Sequence, residues 1–108
     1  MGNVLKMDTI REVAFGSITA SYTLMGTATT VYPRVIIFKN TTNVTLYFSL
    51  DGVNNMIKMI ANSYQVIDGS TNHFTPEQPT FPKGTTFYVK YASAPASGDA
   101  IVELMYAQ

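Results

Sequence analysis

Apolar and polar side chains alternate most cleanly over residues 44–50, where Val44, Leu46, Phe48 and Leu50 are spaced by Thr45, Tyr47 and Ser49. A period of two is the mark of a strand with one buried face. Just upstream, Val35, Ile36, Ile37 and Phe38 are consecutive apolar residues. This predicts a strand over residues 34–40 covered on both faces. The polar stretch Asn40-Thr41-Thr42-Asn43 reads as a turn joining the two into a hairpin. Asp51-Gly52 predicts a second turn, because glycine accepts positive φ without steric cost. Strands are then expected near residues 56–60 and 64–67. Residues 86–92 alternate again, with Phe87, Val89 and Tyr91 on one face. Residues 94–99, which include Gly98, form a turn into a last strand over residues 100–107, giving a C-terminal hairpin.

Two regions depart from this rhythm. Residues 73–84 hold Pro76, Pro79 and Pro82. Proline lacks the N–H that a central strand donates, so a long surface loop is expected there. In the N-terminal third, residues 13–18 and 21–25 suit two more strands with a bulge at Gly16. Residues 7–13 suit instead a single turn of helix capped by Asp8. Residues 1–11 have no place in the alternation and are expected as an extended arm, with the domain proper over residues 12–108. Strand and turn signals recur about every 8–12 residues, as in a sandwich or barrel. The fold class is all-β: a single-domain antiparallel β-sandwich, jelly-roll-like or Ig-like, with an extended N-terminal arm. Its expected core is Val35, Ile37, Phe38, Leu46, Phe48, Phe87, Val89, Val102 and Leu104.

Composition narrows the function classes. The chain has 108 residues, enough for one two-sheet domain. Only 13% are charged, against roughly 25% in an ordinary soluble domain. The surface is therefore covered by Thr, Ser, Asn and Gly, which suits a protein that buries surface in an assembly. Seven basic and seven acidic residues give a formal net charge of zero. Lys6, Arg11, Arg34, Lys39, Lys58, Lys83 and Lys90 are scattered, so there is no basic tract for nucleic acid. Zero net charge also weakens repulsion between copies. With no cysteine, disulfides and thiolate metal sites are excluded. The N-terminal residues lack the apolar run of a signal peptide, and no stretch reaches the length of a membrane helix.

Residues that could carry chemistry are few. His73 is the only histidine, so neither a two-histidine metal site nor a serine triad beyond that one base can be built. A solvated loop histidine is expected. Among the carboxylates, Asp51, Asp68 and Asp99 adjoin glycine, where turn chemistry wants Asp. The run Asp51-Gly52-Val53-Asn54-Asn55 has oxygen donors for calcium but lacks the spacing and closing Glu of an EF-hand, so a plain turn is expected. Glu103 interrupts an apolar strand and is expected to face solvent or a partner, since an unpaired buried carboxylate is costly. Asn40-Thr41-Thr42 and Asn43-Val44-Thr45 match the glycosylation acceptor pattern but read as turn residues. No catalytic, metal or cofactor-binding residues are assigned.

A family pattern becomes visible in longer stretches. Asp8-Thr9-Ile10-Arg11-Glu12-Val13-Ala14-Phe15-Gly16-Ser17-Ile18 leads to Tyr22-Thr23-Leu24-Met25-Gly26. Then come Pro33-Arg34-Val35-Ile36-Ile37-Phe38-Lys39-Asn40-Thr41-Thr42 and Leu46-Tyr47-Phe48-Ser49-Leu50-Asp51-Gly52. The end runs from Phe81-Pro82-Lys83-Gly84-Thr85-Thr86-Phe87-Tyr88-Val89-Lys90 to Glu103-Leu104-Met105-Tyr106-Ala107. This arrangement resembles the small β-rich virion proteins of tailed bacteriophages. The resemblance implies a non-enzymatic subunit at the capsid surface or the head–tail neck, localised in the virion after assembly in the host cytoplasm. Its expected partners are copies of itself and other virion proteins, such as the major capsid or portal and neck proteins. No nucleic acid, membrane or cofactor is expected. Val4, Leu5, Met7, Ile10 and Arg11 are the candidate assembly arm. Tyr47, Tyr88 and Glu103 are the candidate interface face, and Asp51, Gly52 and Gly98 are structural turn residues. The competing expectation is a carbohydrate- or receptor-binding sandwich module of a phage fibre or tail.

Overall fold

The structure is a computed structural model that describes residues 5–68 and 81–107. The strands in chain order are β1 (Leu5–Met7), β2 (Arg11–Ala14), β3 (Thr23–Leu24), β4 (Pro33–Asn40), β5 (Leu46–Ser49), β6 (Ile57–Met59), β7 (Ser63–Asp68), β8 (Tyr88–Tyr91) and β9 (Asp99–Ala107). A 3-10 turn at Phe15–Ser17 follows β2. The strands form two antiparallel sheets. In the first the order is β1-β9-β4-β7, with β2 also paired to β9; in the second it is β3-β8-β5-β6. β1 and β2 together occupy one strand position beside β9, against its two halves. Counted so, the described residues give eight strand positions, four to a sheet, and consecutive strands mostly change sheet. That is the jelly-roll arrangement. Of the two sandwich types expected, the chain has this one.

The core lies between the sheets because strand parity puts it there. Ile36 and Phe38 of β4 point inward beside Leu104 and Val102 of β9. Leu46 and Phe48 of β5 and Val89 of β8 meet them from the second sheet. Phe38 packs edge-on against Phe48, with ring centroids 5.3 Å apart, and against Phe87 at 6.1 Å. These three rings pin one sheet to the other. Ile18 and Met25, before and after β3 in the chain, with Met59 of β6 and Ala100 of β9, complete the cluster.

Several expectations need correction. Ile37 is not in the core; it lies on the outer face, half-buried, and Ile36 takes the inward place. Neighbours in a strand point opposite ways, so Ile37 and Phe38 cannot share a core. Val35 is buried but lies outside the main cluster. Neither expected hairpin forms. β4 and β5 are in different sheets, as are β8 and β9. β5 and β6, joined through the Asp51 turn, are the consecutive strands that do pair as a hairpin. What makes the β4–β5 connection an arch is Asn40, fully buried at the corner. Its amide donates to the carbonyls of Val44 (2.9 Å), Met59 (3.0 Å) and Ile60 (3.0 Å), and its Oδ1 accepts from the Thr42 N–H at 2.9 Å. A polar residue so placed replaces the ladder bonds that the chain gives up in crossing between sheets.

The free-arm expectation for residues 1–11 is also corrected over its described part. Leu5–Met7 pairs antiparallel with β9, and the Asp8 N–H donates to Leu104 O at 3.0 Å. The chain's own sheet therefore holds these residues, because β9 is long enough to offer both halves of its edge. No helical turn forms over residues 7–13.

Candidate functional site

Arg11 is the first candidate to change character. It was expected on an arm, but its side chain is 6% exposed. Nε donates to Thr27 O at 2.9 Å, one terminal nitrogen to Thr9 O at 3.0 Å, and the other to Asp8 Oδ2 at 3.4 Å. The guanidinium lies 5.7 Å from the Phe87 ring centroid. A fork of fixed donors suits such multiple capture. Arg11 is thus a clamp that ties β2 to the loop before β4, and it is not available to a neighbour. Met7 and Ile10 are exposed, at 56% and 53%. Val4 lies outside the described residues, as does His73.

The turn residues behave as expected. Gly52 has φ +73 and Gly98 φ +91. At Gly98 a Cβ would collide with the Thr41 carbonyl, so the start of β9 is pressed against the Asn40–Thr42 corner. Asp51 accepts at Oδ1 from Ser49 Oγ (2.7 Å), Val53 N (2.8 Å) and Asn54 N (2.9 Å), and at Oδ2 from Asn54 Nδ2 (2.7 Å). The Ser49 hydroxyl, followed by the Asn54 and Val53 amides, holds this carboxyl well below the usual carboxylate range. Its oxygens are committed to the turn, which favours the plain turn over a calcium ligand. No group of three or more metal-ligating side chains occurs among the described residues. Glu12 carries the opposite shift: the hydrogen bond that its protonated carboxyl donates to Asp99, and the charge of that residue, raise its pKa.

The expected interface face is divided. Tyr47 and Tyr88 lie on the outer side of the second sheet, whereas Glu103 lies on the outer side of the first. The two sides point away from each other. On the second sheet, Lys90 Nζ sits 4.8 Å from the Tyr22 ring centroid and 5.9 Å from that of Tyr47. The Tyr22 hydroxyl donates to Asn55 Oδ1, and burial raises its pKa, helped by Asp51 and Tyr47. Lysine and hydroxyl are therefore engaged within the chain.

The first sheet presents a different surface. Residues opposite one another across antiparallel strands share a face. Met7, Met105 and Val35 form one row; Glu103, Ile37 and Val66 the next; Glu12, Ile101, Lys39 and Tyr64 a third. Tyr64 is 72% exposed and Val66 50%. One ion pair, Lys39 Nζ to Glu103 Oε1 at 3.0 Å, crosses this apolar field. Glu103 thus does face outward, with a cation of its own chain. A shallow depression at the end of β4 and the start of β7 is lined by Lys39, Asn40, Thr41, Asn62, Ser63 and Tyr64. Tyr64 and Val66 were not singled out from the sequence. Their signal was available: Tyr64 and Val66 have one parity and Ile67 the other, so one set had to face away from the core. Compared with protein-family models, with curated proteins and with solved structures, the chain has no match in any of the three.

Proposed function

We propose that this chain is a non-enzymatic structural subunit of a tailed-phage virion, held at the capsid surface or the head–tail neck by protein–protein contacts. The outer face of the first sheet carries the proposal. It sets Met7, Ile37, Val66, Tyr64, Ile101 and Met105 side by side around one internally paired ion pair. A contiguous apolar sheet face is a surface for another protein. Zero net charge suits close repetition of subunits. The test is add-back. Purified chain is mixed with particles that lack it and sedimented, beside Met7→Glu. Wild type is expected in the particle pellet, and Met7→Glu, with unchanged melting, is expected in the supernatant. Equal binding of the two would remove the outer face from the account, and failure of wild type to bind would overturn the proposal.

A carbohydrate-binding module is the second reading. It is favoured by the Tyr64 ring beside the depression at Asn62 and Lys39, since an aromatic face next to polar groups can stack a sugar. A glycan-array signal abolished by Tyr64→Ala would select it over the virion reading.

A further inference from the structure

We infer that β7 is a self-pairing edge: two copies of this chain join antiparallel along residues 63–67, about a two-fold axis at Gln65, so that the first sheets of both sandwiches become one. The inference rests on the assembly reading and names a second copy as partner.

The edges of the two sheets are unequal. β3 has two residues, β1 and β6 three each, and β2 four. Short edges are one way in which sheets avoid unwanted pairing. β7 has six residues and pairs only with β4 among the described strands. Its sequence Ser63-Tyr64-Gln65-Val66-Ile67-Asp68 has no lysine, proline or glycine, and its one charged residue, Asp68, stands at its last position. Tyr, Val and Ile are strong strand formers.

Parity then selects the partner and the register. In a two-fold pair, opposed residues must share a face, so the axis passes through a residue. With the axis at Gln65, Tyr64 lies opposite Val66 of the second copy, and Val66 opposite its Tyr64. The exposed aromatic and β-branched residues of β7's outer face thus cover each other twice, a favourable cross-strand combination. Gln65 meets its own copy, amide to amide. Ser63 meets Ile67. No charged residue is opposed within the ladder. Asn62, at φ +54, ends the strand just where the pairing would end. An axis at Val66 would instead set each Tyr64 against an Asp68 carboxylate. The paired outer faces run on into Ile37 and Lys39 of each copy, so the apolar field of the proposed virion contact doubles in width.

The ladder has five residue pairs, about 17 Å of strand. That is short of the roughly 1,600 Å² of a standard interface, so a weak dimer is expected, with Kd on the order of 0.1–1 mM. Within an assembly, high local concentration makes such a contact effective.

The absence of cysteine makes cross-linking a clean test. Under mild oxidation Gln65→Cys is expected to form a disulfide dimer at least tenfold faster than Val53→Cys, which sits in the distant β5–β6 turn at 76% exposure. Val66→Cys, whose copies lie about 8 Å apart in this register, is expected to lag behind Gln65→Cys. Wild type measured by light scattering from 10 µM to 1 mM is expected to rise above 11.9 kDa, and Gln65→Lys, with unchanged melting, to stay there. Equal rates at positions 65 and 53, or faster cross-linking at 66, overturn the pairing. So does a wild type of monomer mass at 1 mM. The add-back experiment is independent of these outcomes, so loss of the dimer leaves the virion proposal standing or falling by its own result.

Discussion

Arg11 shows how much one side chain can hold. It bridges Asp8, Thr9, Thr27 and Phe87 from a nearly buried position. Arg11→Ala should cost about 3 kcal/mol, because two charged hydrogen bonds to part-buried carbonyls, the contact with Asp8 and the packing on Phe87 are lost together. Arg11→Lys should rescue little, since an ammonium cannot reproduce the fork. A denaturant titration measures both; a neutral Arg11→Ala would return residue 11 to the status of a free arm. Phe48→Ala should cost about 3–5 kcal/mol, as it opens the ring trio that joins the sheets. Gly98→Ala should be as damaging as these, because the added methyl meets the Thr41 backbone, which cannot swing aside like a side-chain end. The sequence marked Phe48 through its alternation and Gly98 through its place in the turn over residues 94–99. It could not mark Arg11, because a lone arginine in a polar stretch has the same appearance whether solvated or clamped.

At the scale of elements, strand positions were legible and strand partners were not. Alternation located β5 and β8, since a half-buried strand imposes that pattern whatever lies beside it; β9 was placed by the turn before it. The Asn40–Asn43 turn looked like a hairpin loop because turn residues serve hairpins and arches alike. The difference lies in Asn40, whose burial no local pattern reveals. The same limit hid β1: three residues pairing at an edge leave no periodicity to read. Deleting residues 1–7 should therefore lower the melting temperature of the isolated subunit, where a free arm would leave it unchanged. The β5–β6 hairpin carries a pH signature. Asp51 has a lowered folded-state pKa, so its contribution is fully present above its unfolded value of about 3.9 and is lost as pH falls toward the folded one. Asp51→Asn should remove that part of the acid sensitivity. Glu12 works the other way: its raised pKa means that the Glu12–Asp99 pair opposes folding when both are ionised, and Glu12→Gln should be neutral or stabilising at pH 7. Melting curves between pH 2 and 7 separate the two residues.

At the scale of the molecule, a jelly roll is a scaffold that serves capsids and lectins alike, so the fold alone does not choose a function. The choice rests on what the two outer faces do with their side chains. On the second sheet, tyrosines and Lys90 satisfy one another. On the first, Met7 stays exposed at the β1 edge, and Val66 and Tyr64 at the opposite edge, on β7. The sequence pointed to assembly through its low charge, but it placed the contact on Tyr47, Tyr88 and Glu103, which no single face can present. Parity within a strand was readable; which strand stood back to back with which was not. The central claim, a virion subunit, is tested most directly by copy number. Particles purified on a density gradient are quantified by mass spectrometry against the major capsid protein, with the total lysate in parallel. The account predicts that the chain peaks with the particles at a fixed ratio to the capsid protein across the gradient. A chain that stays in the soluble fractions, or whose ratio drifts from fraction to fraction, would contradict it.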